Sequence, residues 1–257
     1  MVTREAEKPE ILHVELVDLT AALAAGWRDF RAAPVFGLFF SGVYVLGGWL
    51  ILFSVTAKGQ LWWSLPASAG FPILGPFIAC GLYEVSRRRE SGEALVWGEI
   101  IGVIFRQKDR QIPSMAAVIV VFFLFWNFLS HMIFALFLGK ATLTNITSSL
   151  AVFLTPEGLA MLAVGTAVGA VFSTLLFALT VVSLPMLLDR EVDFVTAMLT
   201  SLGVVTESPL VMLGWGALIG ASLFLAMLPG FAGLFLVLPV FGHATWHLYR
   251  RAIAWDA

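Results

Sequence analysis

The chain has 257 residues, 60% of them hydrophobic and only 12% charged, with a net charge of −2. A soluble domain carries about 25% charged residues, so this composition excludes an ordinary soluble protein; with no basic stripe interleaved with aromatics it excludes nucleic-acid binding too. The single cysteine, Cys80, rules out an internal disulfide and a cysteine zinc cluster.

In chain order, the opening "MVTREAEKPEILHVELVD" mixes acids and bases and has no short apolar core before a small-residue cleavage site, so it does not read as a signal peptide. Residues 1–33 are expected to form an N-terminal cytoplasmic segment with one amphipathic helix, Leu19, Leu23, Trp27 and Phe30 opposing Asp18, Arg28, Asp29 and Arg31. Residues 34–257 then form a transmembrane domain. Its long apolar stretches are Val35–Val55, Leu65–Tyr83, Ile112–Phe137, Leu159–Leu184, Pro209–Met227 and Gly230–Leu248, each able to cover about 30 Å as a helix. Leu228-Pro229-Gly230 is a turn signal that makes the last two a hairpin. A second such helix is expected from about Glu93 to Arg106, more apolar than the first and so a candidate for burial under the bundle, and a third where Val195, Met198, Leu202 and Val205 oppose Asp193, Thr196, Thr200 and Glu207. Amphipathicity leaves two roles open for these helices, lying along the membrane surface or simply connecting spans. The expected fold is therefore all-α and polytopic, with six transmembrane helices and two or three surface helices.

Six spans place both termini on one side. Arg4, Lys8, Arg28, Arg31, Arg87, Arg88, Arg89, Arg106, Lys108, Arg110, Arg190, Arg250 and Arg251 fall on that side, and only Lys58 and Lys140 lie opposite. The positive-inside rule makes that face cytoplasmic. Trp62 and Trp63, and Trp246 and Tyr249, suit the two interfacial aromatic belts.

A threefold internal repeat is also legible: a cytoplasmic helix, a proline, an outward span, an inward span, a basic end. Pro34, Pro113 and Pro209 open the odd-numbered spans, and "PFIACGLYEVSRR" aligns without gaps on "PVFGHATWHLYRR". The segments "GWRDFRAAP", "GPFIACGLYEVSRRRESG", "SLPMLLDREVD" and "LPVFGHATWHLYRR" resemble the signatures of a bacterial family of predicted integral membrane proteins classed as domain of unknown function 2189. The resemblance runs from about Gly26 to Arg251. It implies a bacterial inner membrane and supplies no activity and no catalytic residues.

Candidate chemistry is sparse. His243 and His247 share a helix face at i and i+4, a spacing two metal ligands can use, and the repeat alignment sets Cys80 opposite His243 and Glu84 opposite His247. These four are the candidate metal ligands if the second and sixth spans are neighbours. The competing reading has both histidines hydrogen-bonded at a helix end, with Trp246, Tyr249 and the arginines as interface anchors. A haem between His131 and His243 is excluded, because their depths differ by about 15 Å at the helical rise. Asn127, Ser130 and His131 form a polar patch at i, i+3 and i+4, either lining a cavity or holding helices together. Gly165, Gly169, Ser173, Gly216 and Gly220 allow close helix packing. The acids of "DREVD" read as a helix N-terminus, and Asn145-Ile146-Thr147 as a chance match to a glycosylation acceptor.

No nucleotide-binding or hydrolase motif is present, and no charged residue sits mid-span. The expected function is a non-enzymatic accessory or scaffolding subunit of a larger inner-membrane assembly, possessing no cofactor and contacting lipid and other membrane subunits. A transporter or channel for a small neutral or hydrophobic solute, and third a metal-dependent membrane enzyme, are the alternatives.

Overall fold

The computed structural model describes residues 9–58, 64–107, 109–139 and 150–255. Arg4, Lys8, Trp62, Trp63, Lys108, Lys140 and the Asn145-Ile146-Thr147 triplet lie outside the described residues.

The fold is all-α apart from one small ribbon. Strand β1 (Pro9–Ile11) precedes α1 (Leu16–Ala32), α2 (Pro34–Lys58) and α3 (Ser64–Ser91); α4 (Trp97–Gln107) leads to α5 (Ile112–Leu138). A short 3-10 turn at Leu150–Leu154 precedes α6 (Pro156–Thr180) and α7 (Ser183–Asp189). Then come α8 (Phe194–Glu207), α9 (Pro209–Met227), α10 (Leu234–Ala252) and strand β2 (Ile253–Trp255).

Local chemistry accounts for most boundaries. Pro34, Pro113 and Pro209 all fall in a first helical turn, where the missing amide hydrogen has no helical partner to lose. Asp193 caps α8 by accepting from Thr196 N at 2.9 Å, and Thr155 caps α6 through Gly158 N at 3.1 Å. Between α9 and α10 the backbone reverses with positive φ at Gly230 (60°) and Phe231 (67°); Trp49 Nε1 donates to Gly230 O at 2.6 Å and ties this turn to α2. The apolar stretch expected to end at Leu184 instead breaks at Val181 and Val182, and Ser201 Oγ of α8 accepts from the freed Val182 N at 3.1 Å.

Four stretches among the described residues are long and apolar enough to cross a membrane: Pro34–Phe53, Ile112–Leu138, Pro156–Asp189 and Pro209–Met227. This is two fewer than the six spans expected. Of the other two long helices, α10 carries charge along its final turns, His243 to Arg251, while the first part of the span expected at Leu65–Tyr83 on α3 lies outside the described side chains. For α10 the reason is positional. On α10, Pro239, Val240, His243, Ala244, Thr245, Trp246, Leu248, Tyr249 and Ala252 are all buried, and α10 contacts α1, α2, α3 and α9. A helix enclosed by protein has no need of a uniformly apolar surface. By contrast, only 17% of the most apolar 18-residue window of α5, and of α9, is buried.

Two contacts bring the chain ends together. β1 pairs antiparallel with β2, Glu10 facing Ala254, a ribbon not anticipated from the sequence. The helix α1 lies directly on α10, where Gly26 meets the backbone: a Cβ there would stand 2.6 Å from Ala244 N and from Val240 O. Residues 9–33 are thus packed onto the bundle. Pairing of β1 with β2 holds Pro9–Ile11 beside Ile253–Trp255.

Gly26→Val is expected to push α1 off α10 and lower the thermal unfolding midpoint in detergent by several degrees, an overpacking cost of about 1–3 kcal/mol. Gly220, where a Cβ would meet nothing within 4 Å, is the control; Gly220→Ala should hold or raise the midpoint, since alanine is favoured over glycine in a helix by about 1 kcal/mol.

Candidate functional site

The charged residues gather at one end of the bundle, where the last turns of α3 and α10 meet α1, α4 and α7. In the "LYEVSRRRES" end of α3, helical spacing sets Glu84 against Arg87 (2.8 Å) and Arg88 (2.6 Å). Glu84 is 2% exposed and Arg88 8%. Arg88 also donates to Ala94 O at 3.0 Å and pairs with Glu99 of α4, and Arg87 reaches Glu93 at 2.9 Å. Glu93 is held below the usual carboxylate range by its hydrogen bonds from Arg87 and Ser91.

The next residues of α3 turn toward α1 and α10. Arg89 Nε donates to Asp29 Oδ1 at 2.8 Å, His247 Nε2 lies 2.7 Å from Asp29 Oδ2, and Ser86 Oγ lies 2.8 Å from His243 Nδ1. Burial pushes the Asp29 carboxyl up, but hydrogen bonds from His247, Arg89 and Ser86 and the charge of His247 outweigh it and hold the group at about 2. Glu90 accepts from Trp246 Nε1 at 2.9 Å and from Arg250 at 3.2 Å. Farther around α10, Tyr249 donates its hydroxyl to Asp189 of α7 at 2.7 Å and accepts from Trp255 Nε1 at 3.2 Å, while Arg190 lies 5.0 Å from the Trp255 ring centroid. Arg110–Glu191 at 2.8 Å joins the start of α5 to the segment after α7.

These bonds account for the residues expected to bind a metal. Glu84 is engaged by two arginines, His247 by Asp29, and His243 by Ser86; Cys80 is fully buried in the hydrophobic core. The Nε2 atom of His243 is buried without a partner, so that ring has no open edge toward solvent. Among the described residues no three His, Cys, Asp or Glu side chains are grouped as a metal ion requires. The alignment of the second span on the sixth matched positions along two helices, but a coordination sphere needs side chains converging within about 2 Å of one point.

Asn127, Ser130 and His131 do share one face of α5. Their polar groups turn back on their own helix: Asn127 Nδ2 donates to Phe123 O at 2.8 Å, Ser130 Oγ donates to Asn127 O at 2.9 Å, and His131 Nδ1 lies 2.7 Å from Asn127 O. Of the three, Ser130 alone lines the groove of about 380 Å³ between α5 and α6, with Trp126, Phe134, Gly165 and Gly169. The acids of "DREVD" separate into three roles, since Asp193 caps α8 while Asp189 and Glu191 pair with Tyr249 and Arg110. The sequence did not mark Ser86 or Glu90, and it placed Asp29 and Asp189 on helix faces and ends without recognising them as the partners of His247 and Tyr249. Each lies inside a quoted signature segment, and that was the available signal.

Residues 64–189 match the sequence model of a family described as predicted integral membrane protein (DUF2189). This is an integral-membrane family match. It covers α3 to α7, whereas the resemblance read from the sequence ran from about Gly26 to Arg251; "GWRDFRAAP" and "LPVFGHATWHLYRR" lie outside it. The polar layer therefore bonds residues of the matched segment such as Ser86, Arg89, Glu90 and Asp189 to Asp29, His243, Trp246 and Tyr249 beyond it. No curated protein and no solved structure matches the chain.

The Asp29 interaction has a defined acid signature. Its carboxyl is depressed in the fold, so its stabilisation is complete above the unfolded value of about 3.9 and is lost as pH falls through about 2. Acid unfolding of the native chain should lose about 1–2 kcal/mol in that window, allowing for solvent screening, and Asp29→Asn should flatten it. Chemical unfolding should also separate two arginines: Arg88→Leu, which strips a partner from buried Glu84, is expected to cost about 3 kcal/mol, and Arg251→Leu, whose 3.4 Å pair with Asp18 is exposed, under about 1 kcal/mol.

Proposed function

We propose that this integral membrane protein is a non-enzymatic accessory or scaffolding subunit of a larger bacterial inner-membrane assembly. The observation that supports this reading is the contrast between its two surfaces. At the polar end the acids are matched by arginines, histidines and aromatic donors, leaving no open catalytic set among the described residues. Along the bundle, α5, α6 and α9 turn large apolar side chains outward, among them Phe125, Phe128, Leu136, Val171 and Phe224, and the groove between α5 and α6 has Gly165 and Gly169 in its wall. A cleft walled by glycine lets another helix approach closely.

In this reading α3 and α10 complete six spans, protected from lipid by their neighbours, and the basic polar end faces the cytoplasm. Helices α1, α4 and α8 each precede a proline-opened span and its return, α2 and α3, α5 and α6, α9 and α10, which is the order a threefold repeat requires. A second reading, a transporter or channel for a small neutral or hydrophobic solute, draws on one observation. A cavity of about 160 Å³ lies among α2, α3, α9 and α10, its mainly apolar wall interrupted by Ser41, Tyr44 and Thr245.

Extraction in mild detergent at native expression, then size separation and mass spectrometry, decides between them. Stoichiometric co-migration with other membrane proteins is the expected result; a lone species that carries a small solute across vesicle membranes would replace the subunit by the transporter. For sidedness, reporters that function only in the cytoplasm should be active when fused at either terminus, and inactivity of both would reverse the orientation.

A further inference from the structure

Helix α4 has three faces where an ordinary surface helix has two. Ile100, Val103 and Gln107, at i, i+3 and i+7, are buried, Ile100 in one cluster with Phe36, Leu82 and Val85. Glu99, Gly102 and Arg106 repeat that spacing one position earlier and form a polar face, with Glu99 paired to Arg88. The third face is Trp97, Ile101 and Phe105, at i, i+4 and i+8. It is apolar yet open: Trp97 is 38% exposed and Phe105 64%.

In water this third face would leave uncovered side chains whose burial is each worth about 1.5–3 kcal/mol. Protein on one side, an apolar medium on a second and water on a third is the environment of a helix where a bundle emerges from a bilayer. The position of α4 along the bundle agrees. The Trp97 ring lies 4.1 Å from that of Phe36 and 5.2 Å from that of Phe39, centroid to centroid. Those residues lie about 3–8 Å past the start of α2 at the helical rise, and Phe39, 49% exposed, belongs to the outward surface of a stretch able to cross the membrane. The open face of α4 is therefore continuous with a lipid-facing surface, and its tryptophan occupies the level where amphipathic aromatic rings settle.

We infer that α4 lies in the plane of the membrane at the polar end of the bundle, with Trp97, Ile101 and Phe105 inserted among lipid acyl chains and Glu99 and Arg106 facing water. The inference rests on the reading of the bundle as membrane-spanning. It makes α4 a stop that sets how deeply this end of the protein sits, held to α3 by the Arg88–Glu99 pair.

Site-directed spin labelling in vesicles of phosphatidylcholine and phosphatidylglycerol tests it on the full chain. Cys80 is buried and stays silent, so single cysteines are placed by Ile101→Cys, Phe105→Cys and Arg106→Cys, with Phe128→Cys on α5 reporting on the bundle itself. Relaxation by oxygen, which partitions into lipid, should dominate at Ile101→Cys and Phe105→Cys, and relaxation by a water-soluble nickel chelate at Arg106→Cys. Chelate dominance at the first two labels would place the face in water and overturn the inference, as would shielding from both relaxants, which would mean that protein covers it. Loss of oxygen accessibility at Phe128→Cys is the separate result that would instead defeat the membrane-spanning reading.

Discussion

A carboxylate taken out of water must be met by donors, and the architecture at the polar end follows from that demand at Asp29. Removing an isolated ionised group from solvent costs several kcal/mol even after relaxation. Asp29 is 6% exposed and remains ionised because Arg89 of α3 and His247 of α10 both reach it, at 2.8 and 2.7 Å. Three helices far apart in sequence are thereby fixed to one point. The His247 bond requires α1 to cross α10 closely, and Gly26, one turn before Asp29, permits that approach.

The same demand, repeated, makes α10 the central helix. Its final turns present His243, Trp246, His247, Tyr249 and Arg250 in succession around the axis, and these meet Ser86, Glu90, Asp29 and Asp189 on three other helices. Polar groups that would be prohibitive facing lipid are tolerable here because protein surrounds them. The β1–β2 ribbon and the hydrogen bond from Val14 N to Ser208 Oγ at 2.9 Å draw the beginning of the described chain across the same end. The result is a bonded cap at one end of an otherwise apolar bundle.

Function is best understood from this division. Partners within the cap occupy its acids and histidines, whereas the flanks of α5, α6 and α9 present apolar side chains and open glycines outward. Polar groups on α5 return to its own carbonyls, the usual means by which a membrane helix carries serine, asparagine or histidine without exposing unmet donors. Among the described residues, the polar groups of the cap are thus bonded internally while the flanks of the bundle are apolar, the division an integral membrane protein requires.

Helix positions were legible because they depend on local signals. Long apolar runs, prolines at Pro34, Pro113 and Pro209, the Leu228-Pro229-Gly230 turn and the Asp193 cap act over a few residues, and α9 begins and ends where its sequence predicted. The bend at Val182 was not legible, since the backbone group it frees is met by Ser201 on another helix. Likewise the "GHATWHLYRR" segment announced two histidines on one face but not what they touch. Whether an imidazole binds a metal, a serine or a carboxylate depends on which helix stands opposite, and one-dimensional spacing is silent on that. By itself the sequence determined an all-α membrane protein and the segments in which its polar residues are concentrated. Only the tertiary structure decided that those segments meet in a single layer and bond to one another, because that outcome rests on contacts across many residues, made possible by a glycine close enough to let two backbones touch.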